Sequence, residues 1–110
     1  RYTIFITMNK FKKSGSTKSE YRNNLYEVID LFKDLQHKNP SPIFQSIINQ
    51  LLDIKELVVD NQIITGAFEI DERYTLGAIA VRYFEEGSEL RDKLSEIFYG
   101  AIHYSEYPEK

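Results

Sequence analysis

The sequence predicts an α+β domain of order β-α-α-β-β-β-α, an antiparallel sheet with helices packed on one face. Three observations carry that reading: strict alternation over residues 1–8, three long amphipathic stretches at helical spacing, and a run of short β-rich segments between residues 57 and 84. Each element follows from local chemistry.

Over residues 1–8, Tyr2, Ile4, Ile6 and Met8 share one face and Thr3, Phe5 and Thr7 the other, the pattern of a half-buried strand. Residues 9–17 are polar, basic and small, which suits a loop. Thr17 and Glu20 stand at capping-box spacing, and Tyr21, Leu25, Val28, Ile29, Phe32 and Leu35 then recur along one helical face. This first helix is expected to stop near His37, ahead of Pro40, which disfavours helical geometry in the residue before it. Ser41 reads as the N-cap and Pro42 as the first residue of a second helix carrying Phe44, Ile47, Ile48, Leu51 and Leu52. Residues 57–59, 62–70 and 74–84 read as the strands of a meander, joined through Asp60–Asn61 and through Asp71, Glu72 and Arg73. A last helix opens at Ser88 with the stripe Leu90, Leu94, Ile97, Phe98, Ala101 and Ile102, and residues 105–110 form a short flexible tail.

With 110 residues and 42% hydrophobic content, the chain suits one domain, residues 1–110, with a single core. It begins at Arg1 without a methionine, and Met8 offers an alternative start that would make residues 1–7 foreign. No cysteine is present, so disulfides, thiolate metal sites and cysteine nucleophiles are excluded, and a cytoplasmic location is expected. No apolar run approaches the roughly 20 residues that cross a bilayer, so no membrane association is expected. Charge is lopsided, +4 over residues 1–55 and −7 over residues 56–110, which bears on association rather than on fold.

In a meander the start of the second strand lies beside the end of the third. That geometry would gather Asp60, Glu85, Glu86 and Glu89 at one end of the sheet, with Glu56, Asp71 and Glu72 as a second acidic rim at the other. Helix-dipole chemistry offers a plainer account of Glu86 and Glu89, which flank the helix opened by Ser88. Tyr99, His103, Tyr104 and Tyr107 crowd the C-terminal end, and exposed tyrosines favour interfaces. The basic counterpart is Lys10, Phe11, Lys12, Lys13, Lys18 and Arg22, a pattern able to hold phosphates, yet nucleic acid is a poor match for a net-acidic domain. The order helix, three strands, helix is similar to that of double-stranded RNA-binding domains in order alone. Those domains carry a lysine cluster where this chain has Ser88, Glu89, Leu90, Arg91 and Asp92.

His37 and His103 sit near helix C-termini, where capping explains them, and neither has a second ligand at metal spacing. No glycine-rich phosphate loop and no nucleophile-elbow motif occurs, and no cofactor or metal is expected. The sequence therefore points to a non-enzymatic protein-binding domain, of inhibitor or immunity type. A basic partner would meet Asp60, Asp71, Glu72, Glu85, Glu86, Glu89, Tyr99 and Tyr104, in the way an acidic surface imitates a nucleic-acid backbone. The rival reading is a small-molecule or catalytic domain whose pocket floor is a low patch of the sheet at Gly66 and Gly77.

Overall fold

The computed structural model describes residues 17–109, and among these it holds five α-helices and no β-strand. The expected strand over residues 1–8, and Lys10, Phe11, Lys12 and Lys13 after it, lie outside the described residues. The helices are α1 (Lys18–Lys38), α2 (Pro42–Ile54), α3 (Ala67–Arg73), α4 (Leu76–Tyr83) and α5 (Glu89–His103). A π-helical turn, Lys55–Asp60, extends α2, and a 3-10 turn, Tyr104–Glu106, follows α5.

Helix α1 starts where its capping box closes. The Glu20 amide donates to Thr17 Oγ1 at 3.0 Å, and the Thr17 amide donates to Glu20 Oε1 at 3.2 Å. Ser41 caps α2 by accepting from the Ile43 amide at 3.1 Å, while its own amide donates to Gln36 Oε1 at 2.7 Å and ties the turn back to α1. The two helices form a hairpin whose facing stripes, Leu25, Val28, Ile29 and Phe32 against Ile47, Ile48, Leu51 and Ile54, are buried. Phe32 is fully enclosed and meets the edges of Phe44 and Phe84, with centroids 5.9 and 6.3 Å away. Burial of one such side chain stabilises the fold by about 1.5–3 kcal/mol.

Helix α5 is the central element and packs on α1, α3 and α4. Its residues Leu94, Ser95, Ile97, Phe98, Gly100 and Ala101 are buried. Tyr21 of α1 crosses α5 at Gly100, where an added Cβ would lie within 2.6 Å of Tyr21 Cδ1. The Tyr21 hydroxyl donates to the Ile97 carbonyl at 2.7 Å, which fixes that ring in place. The segment after α5 closes on the start of α1, with the Lys18 amide donating to the Pro108 carbonyl at 2.8 Å and Lys18 Nζ 3.2 Å from Glu109 Oε2.

Over the described residues the α+β reading is thus corrected to an all-helical fold. The expected strand over residues 57–59 is part of the π-helical turn, the one over residues 62–70 is a loop followed by the start of α3, and the one over residues 74–84 is chiefly α4. The reason lies in what these segments bury. Leu76, Ile79 and Ala80 stand at helical spacing and are enclosed against α5, so packing outweighs the β-branched composition. Gly77 is no pocket floor: it faces the Phe98 ring, which an added Cβ would approach to 3.3 Å, so this glycine lets α4 sit close on α5.

Candidate partner-binding surface

Between α2 and α4 the chain makes a compact corner. The π-helical turn widens the helix by one residue, seen in the Asn61 amide donating to the Glu56 carbonyl at 3.0 Å, and this turns both Val58 and Val59 into the core. The loop that follows is pinned, since the amides of Ile63 and Ile64 both donate to the Leu57 carbonyl, at 2.8 and 3.1 Å. Gln62 (φ 52°) and Gly66 (φ 87°) take left-handed backbone conformations that reverse the chain into α3. Glu69 Oε1 accepts from the Thr65 amide at 3.2 Å, and Ile70 is the one residue of α3 that is buried.

A polar clamp holds this corner to α2. Arg73 donates from Nε to Asp53 Oδ2 at 2.6 Å and from Nη2 to Oδ1 at 3.3 Å, and the Tyr74 hydroxyl donates to Oδ2 at 2.6 Å. Gln50 and Thr75 bond reciprocally, the Thr75 amide donating to Gln50 Oε1 at 2.7 Å and Gln50 Nε2 donating to Thr75 Oγ1 at 2.9 Å. The hydrogen bonds from Arg73 hold the Asp53 carboxyl below the usual carboxylate range. Burial, aided by the neighbouring Asp53 carboxylate, pushes the Tyr74 phenol well up. Asn49 lines an open groove of about 290 Å³ together with these clamp residues, whose polar groups are engaged with one another. A second open groove of about 440 Å³ runs between Ile43 and α4, over Thr75, Ala78, Ile79, Arg82 and Tyr83.

With the sheet gone, the meander no longer brings Asp60 beside the glutamates of the last turn. Asp60 ends the π-helical turn, and Lys55 Nζ stands 2.9 Å from its Oδ2, which raises the lysine's pKa and balances the charge. Asp71 and Glu72 lie exposed on α3, and neither has an ion-pair partner among the described residues. Glu85 and Glu86 lie exposed in the turn after α4, and Glu89 stands in the first turn of α5 with Lys93 Nζ 3.8 Å away. Helix α4, eight residues and about 12 Å long, lies between the two acidic groups along the chain.

Tyr99 is half-buried, edge-on to Phe98 with centroids 5.6 Å apart. Tyr104 is only 2% exposed, packed against Tyr21 and accepting a 3.0 Å hydrogen bond from Arg22 Nη1, so its ring belongs to the core. Among the described residues no three carboxylate or imidazole groups converge to hold a metal ion, and no helix is long and apolar enough to cross a membrane.

Sequence reasoning missed the most exposed large hydrophobic side chains of the described residues, Phe68 at 77% and Ile63 at 67%. A helical reading would have found Phe68, because it stands two residues from the buried Ile70 and so on the far side of α3. Both fall in residues 56–72, which carry Glu56, Asp60, Glu69, Asp71 and Glu72 and no lysine or arginine.

Over the described residues the chain is a small helical body with an acidic exposed corner, and comparison with known proteins gives its class. The chain belongs to the Tsi6 family, whose model matches residues 20–103, the stretch from the first turn of α1 to the end of α5. This is an immunity-type family associated with type VI secretion, and it implies a protein partner. No curated protein and no solved structure matches the chain.

Proposed function

We propose that this protein neutralises a protein toxin by stoichiometric, non-enzymatic binding, its acidic surface meeting a basic surface of the toxin. The family match over residues 20–103 carries this reading. The charge distribution supports the basic character of the partner. Residues 56–110 sum to −7, Asp71 and Glu72 are exposed and have no ion-pair partner among the described residues, and Glu85, Glu86 and Glu89 add charge beyond the far end of α4. Like-signed carboxylates on a rim act mostly on encounter, raising the association rate for a basic partner and making it sensitive to salt.

The test is to identify the toxin by capture on this protein from the native source, then to co-express the two in a bacterial host and measure binding of the purified proteins at several salt concentrations. Growth should be restored by a one-to-one complex whose association slows as salt rises. Two variants, Asp71→Asn/Glu72→Gln and Glu85→Gln/Glu86→Gln/Glu89→Gln, should each slow association and flatten its salt dependence while the melting temperature stays put. No complex and no protection would remove the immunity reading. Unchanged association in both variants would remove the acidic surface from it.

A further inference from the structure

We propose that Phe68 and Ile63 are the apolar anchors of the toxin interface, set into an apolar socket of the toxin whose surround is basic. This rests on the immunity reading and names the surface that serves it. Folded chains ordinarily hide side chains of this kind or leave them singly scattered. Here the two most exposed large hydrophobic residues stand five positions apart on one reversal of the chain. Neighbouring Ile64 takes the inward role, partly buried against the core, and Ile70 plugs α3 into it. Phe68 and Ile63 are thus left outside by a loop whose inward positions are already filled.

The segment that presents them is held in shape from several sides. The Leu57 carbonyl accepts from two loop amides, Glu69 caps the Thr65 amide, and Arg73 at the end of α3 is bonded to Asp53 of α2. A presenting surface already fixed before encounter loses little conformational freedom on binding, so its anchors act at nearly full strength. Charge says what the anchors enter. Across residues 56–72 five carboxylates and no lysine or arginine accompany them. Lys55 meets one of these, Asp60, and Arg73 is taken up by Asp53. An apolar centre whose acidic rim is, among the described residues, balanced only at Asp60 is complementary to an apolar socket ringed by lysine or arginine, and an acidic partner would be repelled.

The experiment measures binding and growth protection with the full chain and the toxin captured on it from the native source, comparing Phe68→Ala, Ile63→Ala, Phe68→Glu and the control Val81→Ala on α4. Phe68→Ala should weaken binding by about 10- to 30-fold, mainly through faster dissociation, and Phe68→Glu should abolish protection. Ile63→Ala should have a smaller effect of the same kind, Val81→Ala none, and all four should melt with the wild type. Retention of wild-type affinity by Phe68→Ala and Phe68→Glu, with the wild type protecting, overturns the anchor assignment and leaves the immunity reading standing. A wild-type dimer in sedimentation that Phe68→Glu converts to monomer, with toxin binding unchanged, assigns the face to a second copy and also overturns it. A wild type that neither binds nor protects removes both readings.

Discussion

The hairpin of α1 and α2 and the corner from Lys55 to Arg73 are built on opposite plans. In the hairpin, whole helical stripes disappear between two long elements, and five residues of α1 and four of α2 are buried. In the corner the winding changes every few residues, from π-helical turn to left-handed loop to a helix of seven residues, and α3 buries Ile70 alone. The difference teaches that one region supplies most of the buried area and the other leaves more of its surface for contact. The corner is anchored by Val58, Val59 and Ile70 and held in shape by a few specific hydrogen bonds.

Three substitutions sharpen that contrast, beginning with the largest effect. Phe32→Ala empties a fully enclosed site between α1, Phe44 and Phe84 and should cost about 3–5 kcal/mol in urea unfolding. A loss below about 1 kcal/mol would mean that the hairpin is not the stable half. Gly100→Ala should cost about 1–3 kcal/mol, because the new methyl collides with a Tyr21 ring that its hydroxyl holds to Ile97. Pairing it with Tyr21→Leu should recover part of that loss if the collision is its cause.

Asp53→Ala attacks the seam between the two regions. It should cost about 1–2 kcal/mol at neutral pH, since the buried Tyr74 hydroxyl loses its charged acceptor, and it should speed amide exchange in α3 and α4 ahead of the hairpin. This effect depends on pH with a definite sign. The folded-state pKa of Asp53 lies below its unfolded value of about 3.9, so its contribution is complete above that value and fades as pH falls through the depressed one. Melting curves from pH 6 to pH 2 should show the gap between wild type and variant closing at the acid end. A gap that stayed constant would assign the effect to packing.

The three long helices were legible because each announces itself twice, by a cap and by a stripe. Thr17 with Glu20, Ser41 with Pro42, and Ser88 mark the starts, and most of the residues expected on the inner faces of α1, α2 and α5 are buried, though Leu52 lies exposed while Ile54 takes the inward place. The corner was not legible for the converse reason. Val58 and Val59 look like strand residues, and a π-helical turn that buries them both has no sequence period of its own. Helices of seven and eight residues span about two turns, too few for Leu76, Ile79 and Ala80 to stand out from an alternating pattern. Among the residues singled out for binding, the acids required no knowledge of the fold to be placed on the surface. Tyr104 did, because only the closure of the last turn over Tyr21 and Arg22 encloses it.

The central place of α5 sets an order of events during synthesis. Every helix that it packs against leaves the ribosome before it does. The nascent α1–α2 hairpin can pair through Phe32 and Ile47, but the Tyr21 side of α1 has nothing to lean on until Ile97 and Gly100 arrive. A nascent chain therefore carries an uncovered apolar flank on α1 until α5 is complete and has docked.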